Sequence, residues 1–241
     1  MSRVLVPVEV LTGKTVSPGL MSLLGTVDVT VLGYHVLPEQ TPPDQARHQY
    51  EERATAALED LSEEFRTAGG KADHRLVFTH DREQTIDRIA DEVGARAFAI
   101  SGMTGDVDSL LVSLSGDVAV NRIVAFVVEL VGDRDIDVTL LLAGESESAP
   151  DGKLESAASR LREAGIGVET TTAAGSPFDS LMEAVPAHDA IVMGEAAPSL
   201  RSLVFGDEAD RVASASVGPV VVVRSADVAG ESGEPPSGER E

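Results

Sequence analysis

Apolar residues along this chain fall into short continuous runs, and amphipathic stretches lie between them. The run RVLVPVEV (3–10) is bounded by polar residues and reads as a strand buried on both faces. A short Gly/Pro-containing segment leads to a second such run, DVTVLGYHV (28–36). The stretch ARHQYEERATAALEDLSEEFRTAGG then places apolar residues at helical spacing and ends in glycine, the residue that caps a helix in the left-handed conformation. Strand DHRLVFT, helix DREQTIDRIADEVG with Asp81 as its N-cap, and strand RAFAISG (96–102) follow. Strands that alternate with helices over short loops predict an α/β fold, with parallel sheets, helical cover and right-handed crossovers.

The series then repeats. SLLVSLSG (109–116) leads through DVAVNRIVAFVVELVGDRDI to DVTLLLAGE (137–145), which shares DVT and its spacing from a preceding strand with the first series. Helix GKLESAASRLREAG, strand GVETTTA, helix SPFDSLMEAV and strand DAIVMGE (189–195) complete the match; Ser176 is the N-cap and Pro177 the first helical residue. Only the second copy continues, through SLRSLVFGDEADRVASAS as a helix into a fifth strand, GPVVVVR (218–224). The first copy stops at Gly102. The expected organisation is therefore a truncated copy over 1–106, lacking its last helix and strand, and a complete copy over 107–225. A Gly/Pro/Glu/Ser-rich segment, 226–241, reads as a disordered acidic tail. A different parse makes GDVAVNRIVAFVVELVG the missing helix and strand of copy one, with the strand near 127–131. The first parse is preferred because it aligns SLLVSLSG with RVLVPVEV.

Composition narrows the function. The chain of 241 residues has 41 Asp+Glu against 19 Lys+Arg, a net charge of −22, and only three lysines, Lys14, Lys71 and Lys153. Such a surface repels nucleic-acid phosphates and anionic membranes, so neither is expected as a partner. The excess of carboxylates resembles proteins of salt-loving archaea, where concentrated salt screens self-repulsion. With no cysteine, thiolate catalysis, disulfides and Cys-ligated metals are excluded. MSRVLVPVEV lacks the long apolar core of a signal peptide, and the apolar stretch IVAFVVELV (123–131) contains Glu129 and is too short to span a bilayer, so a cytoplasmic location is expected.

In parallel α/β folds, ligands sit at the carboxyl ends of the strands near the switch between the first and fourth. That directs attention to the chain after residues 8 and 114, and after Gly102 and Gly194. Here RVLVPVEV and the segment AIVMGE…SLRSLVFGDEADRVASASVGPVVVVR (190–224) resemble the universal stress protein family, as a tandem of the type found in haloarchaea. The resemblance implies Rossmann-like, HUP-type five-stranded parallel units, frequent dimerisation through the fifth strand, and a division into members that bind ATP and members that do not. ATP-binding members carry Gly, two residues, Gly, nine residues, then Gly with Ser or Thr. Glycines admit backbone N–H groups to phosphate oxygens, and the hydroxyl adds a donor.

Carried onto this chain, Gly194 matches the first glycine, Ala197 replaces the second, and Gly206 stands one residue early for the third. Asp207 occupies the hydroxyl position, and a carboxylate accepts hydrogen bonds but donates none. Two like charges about 4 Å apart repel by ~1 kcal/mol in water and ~4 kcal/mol at an effective dielectric of 20, so a carboxylate beside a triphosphate erases much of its affinity. The family's adenine-side acid corresponds to Glu9 in copy one and Ser115 in copy two. GMTG, with Gly102 and Gly105, satisfies only the first half of the pattern and reads first as a linker turn. The loop keeps its shape and has largely lost its phosphate chemistry.

No catalytic constellation rises above background. The five histidines, His35, His48, His74, His80 and His188, form no metal-ligand pair, and His35 reads as a hydrogen-bonded structural residue. No G-x-S-x-G elbow and no P-loop lysine motif occur. TTT (170–172) reads as strand filler. The expectation is a non-enzymatic regulatory or interaction module without cofactor or metal, with an unidentified protein partner, dimerising through Val220, Val221, Val222 and Val223. Two alternatives stand beside it: an adenine-nucleotide sensor holding ATP or AMP, with or without Mg, and a regulatory partner of a membrane transporter. Burial of those valines within one chain would instead allow a monomer.

Overall fold

The computed structural model describes residues 1–13, 15–102, 105–115, 118–144, 151–195 and 218–225. Copy one is β1 (Arg3–Glu9), α1 (Pro18–Leu23), β2 (Asp28–Val36), α2 (Pro43–Thr67), β3 (Lys71–Thr79), α3 (Arg82–Val93) and β4 (Ala97–Ile100). Copy two is β5 (Ser109–Ser113), α4 (Val120–Val131), β6 (Asp137–Gly144), α5 (Asp151–Glu163), β7 (Val168–Ala174), α6 (Pro177–Ala184), β8 (Ala190–Gly194) and β9 (Val220–Val223). Residues 127–131 are helical and β5 pairs with β6, so the parse that put a strand there is excluded. The caps match their sequence signals: Asp81 accepts from the Gln84 N–H at 2.9 Å, and Gly94 closes α3 at φ 65°, where a Cβ is disfavoured.

The two expected sheets are one. All nine strands form a single sheet in the order β3-β2-β1-β4-β9-β8-β5-β6-β7, so each copy contributes the same order and the copies meet at β9. Strand β9 runs parallel to β8, as the last strand of copy two, and antiparallel to β4, with Ala97 opposite Val223 and Ile100 opposite Val220. It therefore stands where a fifth strand of copy one would lie beside β4. This overturns the expected dimer edge. Val220, Val221, Val222 and Val223 are paired on both sides and buried, with at most 8% exposure. An unbroken valine run reads alike as a sticky edge and as a strand buried on both faces; here the truncation of copy one leaves β4 unpaired, and β9 satisfies it within the chain.

Side chains alternate between two core layers, as a strand's period of two requires. Val4, Val6, Val8, Leu110, Val112, Leu114, Val221 and Val223 face one layer, packed with Leu20, Leu58, Ile123, Val127 and Leu161 of α1, α2, α4 and α5. Val220 and Val222 face the other, with Leu181 of α6, while Leu5 and Phe98 meet Ile86 and Ile89 of α3. The first layer is continuous across both copies.

Polar contacts fasten the same joint. Arg134 donates to the carbonyls of Ser22 (2.6 Å) and Leu23 (2.9 Å) at the end of α1, and to those of Val131 and Leu130 at the end of α4. A guanidinium over helix C-termini satisfies orphan carbonyls and complements the dipole. Burial lowers its pKa, but an arginine remains charged. Arg224, after β9, pairs with Asp91 at 2.7 Å and lies 5.4 Å from the centre of the Phe98 ring.

Candidate functional site

Because β4 and β9 are antiparallel, the carboxyl ends of the copy-one strands and of the copy-two strands lie at opposite edges of the sheet. The sequence-predicted residues therefore do not form one site: Glu9, Gly102 and Gly105 belong to one edge, Ser115 and Gly194 to the other. Ala197, Gly206 and Asp207 lie outside the described residues, as do the expected last helix and the tail.

In copy one, Glu9 ends β1 half-buried, and its carbonyl accepts from the Thr12 hydroxyl at 2.9 Å. The turn beyond it enters α1 through Ser17, whose hydroxyl caps the Leu20 N–H. The Ser17 N–H in turn donates to Ser101 Oγ, just after β4, at 2.7 Å. The start of the first helix and the end of the fourth strand, which flank the ligand crevice in this class of fold, are thus bonded to each other. A Cβ on Gly105 would meet nothing within 4 Å, and its backbone is not left-handed, so no geometric need for glycine exists there.

In copy two, Ser115 is buried and its hydroxyl accepts from the Ala143 N–H at 2.8 Å, which ties the end of β5 to β6. Gly194 ends β8, also buried. A Cβ there would lie 2.8 Å from Val118 Cγ1, 2.9 Å from its Cβ and 3.1 Å from Ile123 Cδ1. The glycine thus admits a close approach by the loop after β5, and Val118 fills the space over it. A cavity of about 540 Å³ lies to one side, between the N-termini of α4 and α5, lined by Val118, Asn121, Arg122, Lys153 and Ser156. Helix N-termini and two cations make that pocket favourable to anions in a chain that is otherwise strongly acidic.

Sequence reasoning missed Val118, Ser17, Ser101 and Arg134; the only signal was the Ser-Pro start of α1. The remaining chemistry is structural. Nδ1 of His80 and of His188 lie 3.2 and 2.9 Å from the carbonyls of Leu37 and Ala184. His35 differs from expectation: its Nδ1 has no hydrogen-bond partner among the described residues, and the ring packs edge-on against Tyr50 and Phe78. At the amino end of copy two, the N–H groups of Asp108 and Ser109 and the Ser109 hydroxyl converge on one Asp189 oxygen at 3.2, 2.9 and 2.7 Å. The Ser109 hydroxyl, foremost, with these N–H groups, holds the Asp189 carboxyl below the usual range. Among the described residues, no group of three or more His, Asp or Glu is placed to hold a metal ion, and no helix is long and apolar enough to cross a membrane.

Residues 123–224 match the model of the universal stress protein family. Over that segment, which is most of copy two, the chain is similar to the family. The match begins inside α4, so β5, Ser115 and Val118 precede it. A universal stress protein from Archaeoglobus fulgidus DSM 4304 superposes with a TM-score of 0.62 at 16% identity, over 93% of this chain and 98% of that one. A protein of unknown function from Pseudomonas aeruginosa PAO1 superposes with a TM-score of 0.50 at 14% identity, over 92% of each chain. At these identities the likeness is one of fold, and it extends over both copies. No curated protein matches in sequence.

Proposed function

We propose that this universal stress protein is a non-enzymatic cytoplasmic module that regulates by protein interaction and does not depend on a nucleotide. The observations that support this reading most are two close contacts at the strand ends where a nucleotide would sit. Ser17 bonds to Ser101 in copy one, and Val118 packs onto Gly194 in copy two. A phosphate at either place has to displace a hydrogen bond or a valine. The test is equilibrium binding of Mg·ATP, ADP and AMP in concentrated KCl, with a check for nucleotide that copurifies. No saturable binding is expected; saturable binding weakened by Gly194→Val overturns the reading.

One observation favours the adenine-nucleotide sensor as a second reading: the cavity of about 540 Å³ beside Val118, with Arg122 and Lys153 at its wall. In that case Lys153→Glu weakens nucleotide binding at least tenfold, whereas the interaction-module reading leaves nothing to weaken.

A further inference from the structure

With β9 enclosed, the ends of the sheet among the described residues are β3 and β7. The two differ. On β3, the exposed positions Lys71, Asp73 and Arg75 alternate as charges, and Arg3 pairs with Asp73 at 3.0 Å. Charged side chains on an edge strand discourage strand addition. On β7, VETTTAA, Thr170, Thr171 and Thr172 are consecutive exposed positions, and Glu169 is the sole charge. No proline or glycine interrupts it, and threonine suits extended backbone.

The parallel ladder with β6 fixes which groups point outward. Val138 donates to the Gly167 carbonyl, so Gly167, Glu169, Thr171 and Ala173 spend their backbone groups on β6. Thr170 and Thr172 present theirs to the outside. The Val168 carbonyl is already taken by Arg162 at 3.3 Å. We propose that β7 is a docking edge for a second copy of this chain, added antiparallel about a twofold axis through Thr171. In that register Thr170 and Thr172 of opposite copies exchange backbone hydrogen bonds as a hydrogen-bonded pair, and Thr171 faces its own counterpart. Each threonine then lies beside a threonine at ~5 Å between Cβ atoms, a favourable cross-strand pair. Glu169 faces Ala173, so no carboxylate opposes another. This self-complementarity identifies the occupant. Because each chain carries −22, association requires screening and strengthens with salt.

Sedimentation velocity across KCl concentrations tests this. The 25.2-kDa chain is expected to double in mass in concentrated KCl and to dissociate on dilution into low salt. Thr170→Pro removes an outward N–H and leaves the β6 ladder intact; Thr171→Glu sets two carboxylates on the axis. Both are expected to be monomeric at every salt concentration, with wild-type circular dichroism. Since the chain lacks cysteine, Thr171→Cys introduces one thiol at a non-hydrogen-bonded pair, where Cα atoms ~4.5 Å apart permit a disulfide. Mild oxidation is expected to give a covalent dimer, while Ser159→Cys on the exposed face of α5 does not. A wild-type chain that stays monomeric in concentrated KCl overturns the proposal, as does a dimer that survives Thr171→Glu.

Discussion

Gly194→Ala probes the closure of the copy-two crevice directly. The added methyl sits 2.8 Å from Val118 Cγ1 and 2.9 Å from Val118 Cβ, against an ordinary carbon–carbon contact of ~3.5 Å or more. Rotating Val118 does not remove its Cβ, so the loop after β5 has to move by several tenths of an ångström. Overpacking of this kind costs about 1–3 kcal/mol, and reduced freedom of the unfolded chain returns about 0.5–1 kcal/mol. A net loss of about 1–2 kcal/mol is expected, or about 2–8 °C in Tm for a chain of this size. Val118→Gly removes the two nearest carbons and leaves Ile123 Cδ1 at 3.1 Å, the movable end of a flexible side chain. By itself it loses a half-buried side chain and stiffens less, costing about 2 kcal/mol. The double variant is expected to be no less stable than Val118→Gly alone, a coupling of about 1–2 kcal/mol in a double-mutant cycle. Thermal unfolding in concentrated KCl measures all four corners. If Gly194→Ala is as stable as wild type, or if the two changes simply add, Val118 does not close the crevice and the interaction-module reading loses its main support.

Three further outcomes check the joint and the termini of the sheet. Val221→Ala, at a position with 0% exposure, is expected to cost about 2–3 kcal/mol in the same unfolding assay, because β9 belongs to the core and not to a surface edge. Arg134→Ala leaves carbonyls at the ends of α1 and α4 without their donor and is expected to cost about 2 kcal/mol by urea denaturation, with little recovery in Arg134→Lys, whose single ammonium lacks the fork. The folded Asp189 carboxyl titrates below its unfolded value, so its contribution is present above about pH 4 and is lost as pH falls through the folded value. A pH series of wild type against Asp189→Asn is therefore expected to show the difference in stability above pH 4 and its disappearance in acid.

The alternation of strands and helices was largely legible because the inner strands are buried on both faces and the longer helices on one, and those burial patterns have distinct periods; α1, inside the short Gly/Pro-containing segment, was not. The truncation of copy one was legible as well, since 102 to 109 leaves no room for a helix and a strand. Its consequence was not. Sequence periodicity reports how many faces of VVVV are covered, and it is silent on whether its hydrogen-bonding edges belong to the same chain or to another. The closed crevices were illegible for a related reason: Val118 and Ser101 carry no motif, and their effect depends on the approach of a loop to a strand end far away in sequence.

These two surprises have one cause. Loss of the fifth strand of copy one leaves β4 with a free edge, and β9 moves into the gap, which fuses two domains that would otherwise meet as separate sheets. Pairing on both sides encloses β9, and the carboxyl ends of the two sets of strands lie at opposite edges of the sheet. A continuous apolar layer through α1 and α4 joins the two copies. What remains available to a partner is the outer surface: the threonine edge of β7, and the cavity where α4 and α5 begin.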